Sequence, residues 1–186
     1  MNYKENRTVS FIIVSAVYAV ATVTGVVSYL LLPFSYWINL LIADVAATVV
    51  TFIFSVIFGN ASVYDPYWSV QPIVIITAFF VVNGISAAGV LLLISVFFWG
   101  IRLTANWAYT FHGLYSQDWR YTMLKEKSGK LYPIVNFFGI HMFPTVVVYL
   151  CVLPAVMVVR EAPPLSVWNI AGFVISICAA TLQLFS

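Results

Sequence analysis

Phe11–Leu32 reads FIIVSAVYAVATVTGVVSYLLL and Phe79–Gly100 reads FFVVNGISAAGVLLLISVFFWG. Neither stretch contains a charged residue. A helix needs about 20 apolar residues to cross roughly 30 Å of hydrocarbon. A strand of an outer-membrane barrel would instead alternate polar and apolar residues over about ten positions. These two runs therefore predict an all-α, polytopic helical membrane protein. The rest of the chain agrees: of 186 residues, 63% are hydrophobic and 8% charged, with a mean hydropathy of +1.02. Soluble chains run about 45–50% apolar and about 25% charged. A formal net charge of +2 is too small to mark nucleic acid as a partner. The composition excludes a cytosolic enzyme, a disordered chain, a coiled coil and a disulfide scaffold. There is no internal repeat and no low-complexity tract.

Hydropathy predicts about six transmembrane helices in one helical membrane domain over residues 1–186. They are Val9–Leu32, Tyr36–Phe58, Pro72–Asn83 (with a start nearer Tyr67 as the variant), Ala87–Phe111, Ile134–Val159 and Val167–Ser186. The third is short for a crossing and is expected to tilt little, to enter from a buried loop or to be partly re-entrant. Lys4, Arg7 and Ala19-Val20-Ala21 imitate a signal peptide, but the apolar run continues to Leu32 and reads as a retained helix. Cys151 and Cys178 lie inside apolar runs and are expected to pack as small hydrophobes against neighbouring helices. One imidazole cannot make a metal site, and His112 and His141 are far apart, so no metal is predicted.

Lys4, Arg7, Arg120, Lys125, Lys127 and Lys130 share one side when the N-terminus is cytoplasmic, leaving only Arg160 outside; basic residues favour the cytoplasmic face. The same orientation puts Gly59–Gln71 inside, so the sequons Asn6-Arg-Thr8 and Asn60-Ala-Ser62 are read as unglycosylated.

Polar residues inside hydrocarbon are costly and turn toward the bundle interior. Asp44, Thr48, Thr51 and Ser55 share one helical face. Ser15, Tyr18, Thr22, Gly25 and Tyr29 form a similar stripe in the first span, and His141, Thr145 and Tyr149 one in the fifth. Small and hydroxylated residues in such stripes serve helix packing, whereas Asp44 is either a structural or a functional group. Arg102, Asn106 and Tyr109 align near the end of the fourth span, as a snorkelling Arg or as a polar cavity wall. Gln117-Asp118-Trp119-Arg120-Tyr121 suits either nucleotide phosphates and rings or an interfacial aromatic belt. The stretch from Asn60 to Pro72, read as a loop, gathers Asp65, Trp68 and two tyrosines on the same membrane face, which suggests one shared site.

Asn60-x-Ser62-x-x-Asp65-x-x-Trp68, then Arg102-Leu103-x-x-Asn106 and Asp118-x-Arg120-Tyr121, with Pro144 and Pro154 beyond, resemble the steroid 5-alpha-reductase-like membrane proteins. More narrowly, they resemble the branch known as a domain of unknown function. The resemblance covers about residues 36–186. It implies NADPH-dependent reduction of an activated carbon–carbon double bond in a lipid or sterol-like substrate that enters from the bilayer. On it, Arg102, Asn106, Asp118, Arg120 and Tyr121 line the cofactor pocket, and Asp65 and Trp68 shape the adjoining segment; no proton donor is singled out. Gln117-Asp118 stands where relatives often have Glu-Asp. The family continues past the position of Ser186 with an Arg-His-Pro-Asn-Tyr-type motif, so these residues correspond to the front of the fold and are expected to bind NADPH weakly by themselves. The rival expectation is a non-catalytic membrane subunit or scaffold with protein partners. A transporter is disfavoured because no inverted repeat is visible. The expected location is a bacterial cell membrane, or the endoplasmic reticulum in a eukaryote. A cysteine placed at Lys127 is predicted to be labelled only from the cytoplasm; labelling from outside overturns the orientation.

Overall fold

The computed structural model describes residues 3–183. Every regular element among them is helical. α1 (Arg7–Leu31), α2 (Tyr36–Phe58), α3 (Tyr67–Asn83) and α4 (Ala87–Thr110) are followed by a short polar helix α5 (Trp119–Ser128). A single turn α6 (Tyr132–Ile134) leads into a π-helical segment, Val135–Met142, then α7 (Phe143–Glu161) and α8 (Val167–Leu182). Five segments among the described residues are long and apolar enough to cross a membrane: Arg7–Leu31, Tyr36–Phe58, Ala61–Asn83, Ala87–Thr110 and Trp119–Glu161.

The third span takes its variant start, at Tyr67, and the fifth and sixth differ from expectation. The expected loop from Asn60 is a 3-10 turn, Ala61–Tyr64, followed by the first turns of α3. Pro66 supplies the φ of −75° that suits a helix entry, and Pro72 is accommodated inside the helix. The fifth carries α5 in front of it and a π-helical stretch at its head. The sixth is a 16-residue helix, about 24 Å at 1.5 Å per residue, shorter than a full crossing; Leu184–Ser186, its expected end, lie outside the described residues. A capping box between Ser166 and Asn169 starts it. Cys151 and Cys178 are unpaired and exposed, so both face outward from their helices instead of packing inward as expected.

The described residues form two compact units. The first takes in the residues up to Asp65 together with Thr110–Tyr149. Its α1 and α2 run antiparallel across a four-residue turn. Asn39 holds that turn: its amide donates to the Tyr29 and Leu32 carbonyls at 3.3 and 2.8 Å and accepts from Phe34 N, serving carbonyls that a helix end leaves unpaired. Gly25 faces Ala43 and Ala47 of α2, a small-residue contact of the kind that lets membrane helices approach. At the other end Lys4 Nζ caps α2 through the Phe58 carbonyl at 2.7 Å.

The second unit takes in Pro66–Tyr109 and the described residues from Leu150 onward. Here α3 and α4 touch at Gly100. A methyl there would lie 2.7 Å from both the Ser69 carbonyl oxygen and Ile73 Cδ1, while Ser69 Oγ and Thr104 Oγ1 join the same helices at 2.9 Å. Gly100→Ala is therefore expected to lower stability in detergent by about 1–3 kcal/mol, the usual range for overpacking. Gly172→Ala, where the added methyl meets open space, should leave the melting temperature unchanged or higher.

Candidate functional site

The Asn60–Asp65 turn is tied to the segment 111–121 by side chains of both. Buried Asn60 donates through Nδ2 to the Leu114 and Ser116 carbonyls, each at 2.9 Å. Gln117 Oε1 accepts from Ala61 N at 2.9 Å, and Ser62 Oγ accepts from Asp118 N at 2.9 Å. The N-terminal end of the chain joins in: Ser10 Oγ accepts from Leu114 N at 3.1 Å and Tyr115 N donates to the Lys4 carbonyl. Gly113 makes this possible, with φ at +139° and a backbone so close that a methyl would sit 2.7 Å from the Lys4 oxygen; a side chain is strained in that conformation.

This clamp presents a cluster of four polar side chains. Asp118 caps α5, its Oδ1 accepting from Arg120 N at 2.8 Å. The same carboxylate holds the Arg120 guanidinium bidentately, with Nε–Oδ1 at 2.9 Å and Nη2–Oδ2 at 2.8 Å. Arg120 lies beside the Tyr121 ring, and the Tyr121 hydroxyl donates to Asp65 Oδ1 at 2.5 Å. The Arg120 hydrogen bond holds the Asp118 carboxyl below its ordinary value. The Arg120 side chain is 60% exposed, and Asp118 leaves its Nη1 hydrogens available to another acceptor.

A second polar group lies inside the first unit. Asp44, Thr48, Thr51 and Ser55 of α2 are all buried, as are Tyr64, Asn136, His141, Thr145 and Tyr149. Thr145 Oγ1 lies 2.8 Å from Thr48 Oγ1 and 2.7 Å from the Tyr64 hydroxyl, and Tyr149 donates to the Trp37 carbonyl at 2.7 Å.

Of the expected site residues, Asp65, Asp118, Arg120 and Tyr121 come together, and Asp44 faces the polar interior of the same unit. Arg102, Asn106 and Trp68 belong to the second unit. There Arg102 Nη1 donates to the Gln183 carbonyl at 3.0 Å and Nη2 to the Gln183 side chain. Asn106 is exposed, and Trp68 meets Trp99 edge-on at 6.5 Å between ring centroids. Tyr64, Asn136 and His141 are absent from the expected site; the stripe of His141, Thr145 and Tyr149 is a signal for His141 alone, and nothing in the local pattern marks Asn136. Among the described residues no group of three His, Cys, Asp or Glu side chains is placed to hold a metal ion.

Long apolar helices, with their polar groups turned inward and bonded to one another, define an integral membrane protein of the helical class. The chain belongs to the DUF1295 family, whose model, described as a protein of unknown function, matches residues 51–186. The matched stretch contains the clamp, α5 and the π-helical segment. No curated protein and no solved structure matches the chain.

Asn60→Ala leaves one buried and one part-buried carbonyl without their donor and is expected to cost about 1–3 kcal/mol for the buried one, read as a lower melting temperature and faster proteolysis within 111–118. Arg120→Ala removes only an exposed ion pair, for which about 0–1 kcal/mol is usual. Because the Asp118 carboxyl is depressed in the folded protein, its contribution is complete above the ordinary Asp value of about 4 and is lost as pH falls through the lower folded value. Asp118→Asn should flatten that part of the acid-unfolding profile.

Proposed function

We propose that this chain is a membrane oxidoreductase of the steroid 5-alpha-reductase-like type, reducing an activated carbon–carbon double bond of a lipid or sterol-like molecule with NADPH. The observation that carries this reading is the Asp118–Arg120–Tyr121–Asp65 cluster, presented by a rigid clamp inside the stretch that the DUF1295 family covers. The chemistry fits a nucleotide. An Arg oriented by a carboxylate offers planar donors to phosphate oxygens, and an adjacent tyrosine ring offers a face for stacking.

In this reading Arg120 holds a cofactor phosphate through its remaining hydrogens. Asp118 fixes the guanidinium plane, and Asp65 fixes the Tyr121 ring by accepting a hydrogen bond from its hydroxyl. NADPH, when bound, supplies the hydride, and the adjacent carbon takes a proton. Asp44 keeps the polar interior in place. The integral membrane location gives a lipid-like substrate direct access from the bilayer. The cytoplasm is the compartment in which the cluster faces the cofactor, following the distribution of basic residues.

A non-catalytic scaffold with protein partners draws on a different observation: Asn60 Nδ2, Ser62 Oγ and Gln117 Oε1 are all engaged by the clamp itself. Calorimetry of the natural full-length product in detergent distinguishes the two. For the reductase, NADPH binds and Arg120→Ala weakens it ten- to hundredfold, equivalent to about 1.5–3 kcal/mol for one charge-assisted contact. Binding unchanged in Arg120→Ala sinks the site assignment. Absence of both NADPH binding and NADPH oxidation with enone lipids, by the natural full-length product, favours the scaffold.

A further inference from the structure

His141 occupies the heart of the first unit, with 0% of its surface exposed. Its Nδ1 lies 3.0 Å from the Asn136 carbonyl oxygen. A carbonyl only accepts, so Nδ1 carries the ring proton. Nε2 of the neutral ring is therefore a lone-pair acceptor. It is buried, and no donor among the described residues reaches it. Asn136 Oδ1, five residues earlier and thus on the neighbouring position of the same π-helical turn, is a second buried acceptor in the same situation. π-helical turns are rare and concentrate at functional sites.

The hydroxyl groups nearest the ring have no proton to spare. Thr145 Oγ1 donates to the His141 carbonyl at 2.9 Å. With its single hydrogen used, it accepts from both Thr48 Oγ1 and the Tyr64 hydroxyl. The Tyr64 ring lies 4.5 Å from the imidazole, yet its proton points at Thr145. Phe52 covers another side edge-on and has no donor to offer. At Nε2 itself the structure thus places no donor among the described residues. An uncompensated acceptor in an apolar interior is costly.

We propose that the interior of the first unit is a binding site for an uncharged hydroxyl donor, seated with its O–H on Nε2 of His141. A cation would meet only a neutral ring there, and an anion would meet lone pairs. The hydroxyl comes from one of two sources, an internal water molecule or the alcohol group of a lipid-like molecule. This site is separate from the Arg120 cluster and does not depend on the reductase reading.

The chain has only two histidines, and His112 is exposed, so His112→Gln leaves a single imidazole to observe. The test is 15N NMR of ring-labelled histidine in the full-length His112→Gln protein, in phosphatidylcholine nanodiscs, with 1-octanol and methyl octyl ether as probes. The expected result is a protonated Nδ1 and an Nε2 resonance displaced from the bare acceptor position toward the hydrogen-bonded one. Magnetisation transfer from water to that site identifies water as the donor. A further displacement with octanol but not with the ether identifies an alcohol. An Nε2 that resonates as a bare acceptor throughout, or that carries the proton itself, overturns the proposal.

Discussion

A polar group inside a layer of hydrocarbon has no water to fall back on, so each one must be answered from within the protein. That constraint shapes the first unit throughout. The Asn39 amide answers the end of α1, Lys4 answers the end of α2, and Asn60 answers two carbonyls of the 111–118 segment. Each of these side chains bridges backbone groups that belong to different parts of the chain. Losing one leaves the backbone carbonyl it served unpaired, which is why single polar residues carry so much of the architecture.

The same constraint explains the double character of the family stretch. Asn60 Nδ2, Ser62 Oγ and Gln117 Oε1 each bond backbone across the clamp, so the Asn60–Asp65 turn is held at fixed register against the segment that leads into α5. Asp118 then does two things with one carboxylate, capping α5 and orienting Arg120. Rigid support beneath an exposed, oriented guanidinium is the arrangement expected where binding geometry matters. Deeper in the unit, hydroxyls of α2 and α7 share their protons around Thr145, and the histidine beside them is left as an acceptor.

In the second unit steric fit replaces polar exchange. The approach of α3 to α4 at Gly100 leaves no room for a methyl group, and the Ser69–Thr104 pair adds one hydrogen bond at the same crossing. Arg102 turns toward Gln183 and closes off carbonyl oxygen at the end of α8. Two of the aligned residues of α4 therefore meet different environments, Arg102 engaged by a partner and Asn106 on the surface.

The apolar runs by themselves determined that the chain is helical and crosses a membrane, because length and hydropathy alone set what can span hydrocarbon. The second span could be drawn to its end residues, since Ser35 and Gly59 bound an unbroken run. The stripe of Asp44, Thr48, Thr51 and Ser55 was equally legible: helical period places them on one face, and the cost of polarity turns that face inward. Period does not say which partner meets that face, so the sharing of Thr145 among Thr48, Tyr64 and the His141 carbonyl belongs to tertiary structure. So does the start of α3, where Pro72 reads as a helix boundary but the clamp on the preceding turn lets Pro66 serve instead. Cysteine polarity carries no direction, and only packing decided that Cys151 and Cys178 face outward. The joining of Asp65 to Tyr121, 56 residues apart, depends on a clamp built from Asn60, Ser62 and Gln117, and no local pattern encodes a contact made through other residues' backbone.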